Sequence, residues 1–200
     1  NRHTVAEYLG TIRKHVVTLI VTFVLVVVAV CVFTAMLPVK YSTTTKLFAT
    51  YDSSSSSLNS AEQNNANSYI MSQIKSYPTL TTTQAVLQPV IEELHLNQTV
   101  NELAGQIVAS NPTSTAFVNV TVTSGDPKQA AEIANAIAAS LSNVVEKSLY
   151  ASGSQSAIKL SIVQPAQQPI VPSSPNWKFN VAAGLLAGLV IGVFMTLVKD

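Results

Sequence analysis

Two long runs of apolar residues lie near the ends of the chain and enclose a middle segment in which polar and apolar residues alternate. The first run covers residues 16–37 and the second covers residues 179–198, and neither contains a charged residue. At a helical rise of about 1.5 Å per residue, each run matches a hydrocarbon core about 30 Å thick. We therefore predict two transmembrane helices.

The first run has an alternative interpretation as a cleaved signal peptide. Its apolar part is longer than the roughly 7 to 15 residues of such a region. The chain continues Met36-Leu-Pro-Val, which offers no convincing small-residue cleavage site. The pattern favours an uncleaved helix.

The second run contains a glycine at every fourth position, namely Gly184, Gly188 and Gly192. Residues at this spacing share one helix face, where missing side chains allow another helix to come close. Glycine is also generally frequent in membrane helices, so the spacing alone leaves a packing role and no role both open. We carry the three glycines forward as predicted helix-packing residues.

The middle segment shows both strand and helix periodicities. Composition and alternation predict strands over residues 41–51, 106–110, 117–123 and 158–162. Apolar spacing predicts helices over residues 58–76, 79–96, 99–103 and 127–150. We expect Pro78 to separate the first two of these helices and Pro89 to kink the second. The serine-rich residues 53–57 and 152–156 are predicted to form flexible loops.

Several helix starts have sequence signatures. Thr99 and Glu102 have the spacing of a capping box, and Asp126 and Pro127 suit the cap and the first helical position, with Gln129 predicted as the box partner. A box at Thr4 and Glu7, followed by apolar residues on one face, predicts a short amphipathic helix along the inner membrane surface. A plain helical extension of the first span is the alternative for that segment.

These elements predict an α+β fold, in which two transmembrane helices flank an extracytoplasmic α/β domain with a small mixed sheet. The first and last strands adjoin the two membrane helices, so we expect them to pair antiparallel. The predicted regions are a cytoplasmic segment 1–15, helix 16–37, domain 38–164, a proline-rich juxtamembrane segment 165–178, helix 179–198 and the start of a cytoplasmic region, 199–200.

Charge adds the membrane orientation. Basic residues favour the cytoplasmic ends of membrane helices. Arg2, Arg13 and Lys14 precede the first run and Lys199 follows the second. Lys40, Lys46 and Lys178 lie near the runs on the side of the middle segment. This slight bias predicts a plasma-membrane protein with both termini cytoplasmic and the middle domain outside. The net charge of +1 argues against nucleic-acid binding, and Cys31 has no second cysteine to pair with.

The sequence contains no recognisable catalytic constellation. Phosphate-loop, His-Glu-x-x-His and Gly-x-Ser-x-Gly motifs are all absent. Glu92, Glu93 and His95 form a tight titratable cluster, but we interpret it as the solvated end of a helix. Two matches to the glycosylation pattern, at Asn97 and Asn119, are weak, and Asn119 lies in a predicted strand. We predict no catalytic, metal or cofactor site in these residues.

Four prolines, Pro165, Pro169, Pro172 and Pro175, precede the second span and predict an extended, semi-rigid segment. The stretch 169–176, Pro-Ile-Val-Pro-Ser-Ser-Pro-Asn, before a glycine-rich span resembles the chain-length determinant (Wzz-type) polysaccharide co-polymerases. Residues 126–135, Asp-Pro-Lys-Gln-Ala-Ala-Glu-Ile-Ala-Asn, and 90–94, Val-Ile-Glu-Glu-Leu, resemble the actinobacterial branch of that family.

The resemblance implies a non-catalytic scaffold that regulates the chain length, polymerisation or export of capsular or extracellular polysaccharide. It implies a homo-oligomeric ring in the lipid bilayer, acting with the polysaccharide, a membrane polymerase and a cytoplasmic tyrosine kinase domain in cis or in trans. The chain begins with Asn1 and stops soon after the second run, so we expect a fragment, with any tyrosine autokinase (BY-kinase) domain following Asp200. A membrane sensory receptor with an external ligand-binding domain is the alternative function.

Overall fold

The computed structural model describes residues 9–10, 13, 15–52, 59–150 and 157–198. The chain divides into two compact units. One, which we call the helical unit, comprises Asn1–Val39 and Ser173–Asp200, and the other, which we call the α+β unit, comprises Lys40–Pro172. The predicted loops at 53–57 and 152–156 and most of the predicted amphipathic helix lie outside the described residues.

The helical unit contains helix α1, Val16–Met36, packed against helix α7, Trp177–Val198. By length and composition, both are able to cross a membrane. Helix α7 begins two residues before the predicted run, because the Asn176 Oδ1 accepts a hydrogen bond of 3.2 Å from the Phe179 backbone N–H and so caps the first turn. Away from the α1 and α7 contact, large apolar side chains such as Val17, Leu25 and Leu186 are exposed.

The α+β unit contains the other elements. Its strands are β1, Tyr41–Asp52; β2, Ile107–Ser110; β3, Phe117–Ser124; and β4, Ala157–Gln164. Its helices are α2, Ser60–Gln73; α3, Tyr77–Thr81; α4, Gln84–Glu93; α5, Val100–Ala104; and α6, Pro127–Tyr150, with a short 3₁₀ turn at Ile74–Ser76.

The four strands form one sheet in the order β2, β3, β1, β4. The predicted pairing of the first and last strands is confirmed, with Phe48 opposite Ser161 and Tyr51 opposite Ile158. The predicted mixed sheet is wrong, because every neighbouring pair is antiparallel. The helical crossovers join β1 to β2 and β3 to β4, but β3 and β1 respectively lie between the joined strands, so strands of like direction are never neighbours.

One face of the sheet packs on α6 and forms the core of this unit. The alternation predicted for β3 is confirmed, since Val118, Val120 and Val122 are fully buried. The apolar stripe predicted for α6 is buried opposite them, and includes Ile133 and Ile137. Burying a side chain of this size contributes about 1.5–3 kcal/mol relative to exposure, so this layer holds the sheet and α6 together.

The helices between β1 and β2 differ from the prediction. The single helix expected over residues 79–96 is divided into α3 and α4, and Pro78 lies in the first turn of α3 and does not separate two helices. The hydroxyl groups of Thr81, Thr82 and Thr83 each donate to the carbonyl three or four residues earlier, at 2.7, 3.2 and 2.7 Å. Such back-bonding competes with the helical pattern, which explains the break before Gln84.

Two of the three predicted helix caps lie within the described residues, and the box at Thr4 and Glu7 lies outside them. The box at Thr99 and Glu102 is confirmed, with the Thr99 N–H donating to the Glu102 carboxylate at 2.8 Å. Asp126 caps α6 by accepting from the Lys128 N–H at 2.9 Å, but Gln129 as its box partner is wrong. The Gln129 side chain accepts from the Ser124 hydroxyl at 3.1 Å, while the Asp126 N–H donates to that same hydroxyl, so Ser124 occupies the position the box required.

Tyr77 is a buried tyrosine in this core. Its hydroxyl makes no hydrogen bond within the described residues. Burial, with a smaller contribution from Tyr69, raises the pKa of Tyr77 to about 12. A neutral phenol at this position is part of the packing and is not poised to act as an acid at neutral pH.

Candidate functional site

The three predicted packing glycines lie at the contact between α1 and α7. Gly184, Gly188, Gly192 and, one turn further, Thr196 are the buried residues of α7. A Cβ atom at Gly184 would lie 2.9 Å from Val30 Cγ1, and one at Gly188 would lie 3.0 Å from Phe23 Cδ2. Both distances are shorter than ordinary carbon contacts, so α1 occupies the space that side chains would need.

Gly192 lies against the backbone of α1. A Cβ atom there would be 3.4 Å from the Leu19 carbonyl oxygen and 3.9 Å from the Leu19 Cα. Backbone atoms cannot move away as a side chain does, so a larger residue at this position pushes on the helix itself. The Thr196 hydroxyl bonds within α7, donating to the Gly192 carbonyl at 2.8 Å.

A polar contact joins the same two helices near the start of α7. The Asn180 side-chain N–H donates to the Thr34 hydroxyl at 3.2 Å, and Thr34 is buried. In an apolar surrounding, an interhelical hydrogen bond contributes about 0.6–2 kcal/mol. Neither residue is predicted from the sequence, although a single Asn in the second apolar run and a Thr near the end of the first were the available signal.

The proline segment follows β4 directly. Pro165 and Pro172 are exposed, whereas Pro169 and Pro175 are half-buried. Residues 165–173 belong to no helix or strand. The extended, semi-rigid character of the whole segment stays a prediction.

The first residues of this segment are fixed to the α+β unit by Asn135 of α6. The Asn135 Nδ2 donates to the Ala166 carbonyl at 3.0 Å, and its Oδ1 accepts from the Ala166 N–H at 2.8 Å. Ala166 is buried, and the Thr43 hydroxyl donates to the neighbouring Gln167 carbonyl at 2.7 Å. A side-chain amide thus replaces the strand partner that Ala166 lacks. We call this pair of bonds the Asn135 clamp.

The titratable cluster at the end of α4 does not form a convergent site in the structure. Glu92, Glu93 and His95 are exposed, and His95 has a left-handed backbone with φ 51°. Glu92 accepts a hydrogen bond from the Gln88 side chain at 3.0 Å. Across the described ranges, no three His, Cys, Asp or Glu side chains are placed to share a metal ion.

Comparison with known proteins places these features in context. No protein-family model matches the chain. The capsular polysaccharide biosynthesis protein CpsC of Streptococcus pneumoniae is 32% identical over 117 residues, which are 58% of this chain and 48% of CpsC. The capsular polysaccharide biosynthesis protein CapA of Staphylococcus aureus is 23% identical over 195 residues, 97% of this chain and 84% of CapA.

The uncharacterized protein YveK of Bacillus subtilis is 26% identical over 118 residues, 58% of this chain and 49% of YveK. The chain thus spans about half the length of CpsC and of YveK. Among solved structures, a full-length bacterial polysaccharide co-polymerase matches 96% of both chains with a TM-score of 0.54 and 10% identity. At that identity the match concerns the fold.

The resemblance drawn from the sequence motifs is therefore confirmed. The chain is related in sequence to two capsular polysaccharide biosynthesis proteins and shares the fold of a polysaccharide co-polymerase. The α+β class with two terminal apolar helices is confirmed by the same fold match. Assignment to the actinobacterial branch stays a prediction.

Proposed function

We propose that these residues form a non-catalytic membrane scaffold that regulates the chain length, polymerisation or export of a capsular or extracellular polysaccharide. The observation that carries the proposal is the agreement between sequence and fold. CapA matches 97% of the chain, and the co-polymerase fold covers 96% of it. A scaffold acts by holding a separate polymerase and its product, so the proposal assigns no bond-making step to these residues.

Removing this protein from the cell should change the length or the amount of the surface polysaccharide. In a strain that lacks the protein, we expect surface polysaccharide of altered modal length or amount, measured by gel separation of the extracted polymer. Re-expression of the chain should restore the original profile. A profile that is identical with and without the protein would contradict the proposed function.

The chain is a membrane protein with two apolar helices near its ends. We further propose that both termini are cytoplasmic and that the α+β unit lies outside. The bias of Arg2, Arg13, Lys14 and Lys199 supports this orientation.

Reporter fusions test the orientation. A reporter that is active in the cytoplasm should be active at either terminus, and one that is active outside should be active when inserted after Asp52. The opposite pattern at both termini would overturn the topology.

The partners proposed for this scaffold are further copies of the chain in a ring, a membrane polysaccharide polymerase, and a cytoplasmic tyrosine kinase domain on the same or another chain. These partners are supported by the resemblance to co-polymerases. Co-purification from detergent-solubilised membranes, followed by identification of the captured proteins, measures each association. CpsC and CapA are both named as capsular polysaccharide biosynthesis proteins, which supports the scaffold over the sensory-receptor alternative.

A further inference from the structure

An open cleft of about 300 Å³ lies beside the connection between β2 and β3. It is bordered on one side by the end of α2 and the 3₁₀ turn, and on the other by the β2–β3 loop. The lining residues are Met71, Lys75, Asn111, Thr113, Ser114 and Thr115. All of them belong to the α+β unit.

The loop that forms one wall is held in shape by its own hydrogen bonds. The Asn111 side chain donates to the Thr115 carbonyl at 2.9 Å and to the Phe117 carbonyl at 2.6 Å. The Thr115 hydroxyl donates to the Pro112 carbonyl at 2.8 Å, and Ser114 has a left-handed backbone with φ 59°. A wall that is already ordered loses little conformational entropy when a ligand binds.

One cation and two hydroxyls are among the side-chain groups of the cleft that have no partner within the described residues. Lys75 is exposed and pairs with no described carboxylate, and the hydroxyls of Thr113 and Ser114 have no partner among the described residues. No acidic side chain lines this cleft, and Met71 supplies an apolar surface. A positive charge, hydroxyls and one apolar patch together fit a ligand that carries an anionic group on a polyhydroxylated ring.

A second cleft, of about 330 Å³ between α4 and α6, offers a contrast. It contains Lys147, but Glu93 also lines it, so its charge is balanced. The positive character is therefore a property of the first cleft and does not apply to every groove of this unit.

We propose that the cleft at Lys75 binds an acidic sugar unit of a polysaccharide. The anionic group lies against the Lys75 ammonium, the ring hydroxyls face Thr113 and Ser114, and the apolar face of the ring packs on Met71. This inference rests on the proposed function, because that function brings a polysaccharide to the chain. The anionic group is either a carboxylate or a phosphate ester. The two are distinguished by whether a carboxylate probe or a phosphate probe binds more tightly.

Calorimetric titration of the full chain in detergent tests the site. The probes are a tetramer of galacturonate, a glucose phosphate, and the neutral sugar maltotetraose as a matched control. We expect one or both anionic probes to bind about two- to fivefold more tightly than maltotetraose, with an affinity that falls as salt is added. Equal binding of the neutral and anionic probes, or no binding of either, would overturn the proposal.

Substitutions locate the binding. Lys75→Ala should weaken binding of the anionic probe about two- to fivefold, because an exposed ion pair is a modest interaction, while Lys75→Arg should retain the binding. Ser114→Gly keeps the left-handed backbone accessible and removes one hydroxyl, so a smaller loss is expected. Lys147→Ala removes the same charge from the other cleft and should leave binding unchanged. Equal losses for Lys75→Ala and Lys147→Ala would refute the assignment to this cleft.

The site and the function fail separately in these experiments. Loss of the protein that alters polymer length, together with no Lys75-dependent binding, would reject the site and retain the scaffold. Lys75-dependent binding in a protein whose loss leaves the polymer unchanged would retain the site and reject the scaffold.

Discussion

Replacing Asn135 with leucine is expected to lower the free energy of unfolding of the α+β unit by about 2–6 kcal/mol. The substitution keeps the number and branching of the side-chain heavy atoms but removes both bonds of the Asn135 clamp. The N–H and carbonyl of Ala166, which is buried, then lose their partners together. A buried polar group left without a partner costs about 1–3 kcal/mol, and this change produces two. Thermal unfolding of the purified full chain measures the loss, and hydrogen exchange at the Ala166 amide localises it.

Two further variants separate the clamp from a general effect on α6. Asn143 lies on the same helix and is exposed, so Asn143→Leu should change stability by less than about 0.5 kcal/mol. Asn135→Asp retains an acceptor for the Ala166 N–H but places a carboxylate oxygen against the Ala166 carbonyl. The folded state then favours the protonated acid, so this variant should approach wild-type stability near pH 4 and lose it as the pH rises to 7. Unchanged protection of the Ala166 amide in Asn135→Leu would show that the clamp is dispensable.

The clamp illustrates what the sequence could and could not provide. Asn135 closes the motif that begins at Asp126 and Pro127, and the cap at Asp126 was predicted because capping depends on residues two or three positions apart. The partner of Asn135 is Ala166, which is 31 residues away and has an unremarkable side chain. The interaction uses only the backbone of Ala166, so no residue pattern in that segment predicts it.

The same division explains the errors in the middle segment. The burial of Val118, Val120 and Val122 follows from a period of two, which the sequence displays directly. The order of strands depends on where each crossover returns to the sheet. The position of β1 between β3 and β4 is therefore set by tertiary packing and not by a local residue pattern. Likewise, at the start of α6 the Asp126 N–H donates to the hydroxyl of Ser124, a residue of strand β3, and not to the Gln129 side chain. A contact with a preceding strand is not visible in the capping pattern.

Replacing Gly188 with leucine should destabilise the pairing of α1 and α7 by about 1–3 kcal/mol. The Cβ atom alone would lie 3.0 Å from the Phe23 ring and 3.4 Å from the Phe23 carbonyl oxygen. Leucine adds three further carbons in the same direction, so either the ring or the whole helix must move. Unfolding in mixed detergent micelles, followed by the fluorescence of the single tryptophan, Trp177 at the start of α7, measures the change.

Ala187 provides the matched control, because it precedes Gly188 and is exposed. Ala187→Leu adds the same three carbons on a face that α1 does not cover, so it should leave the unfolding curve nearly unchanged. A double-mutant cycle with Phe23→Ala identifies the clash: once the ring is removed, Gly188→Leu should cost less than it does in the wild type. Equal effects of leucine at positions 187 and 188 would contradict a packing role for the glycine face. An unchanged cost in the Phe23→Ala background would instead assign the clash to the α1 backbone, whose carbonyl oxygen lies within 3.4 Å of the added Cβ.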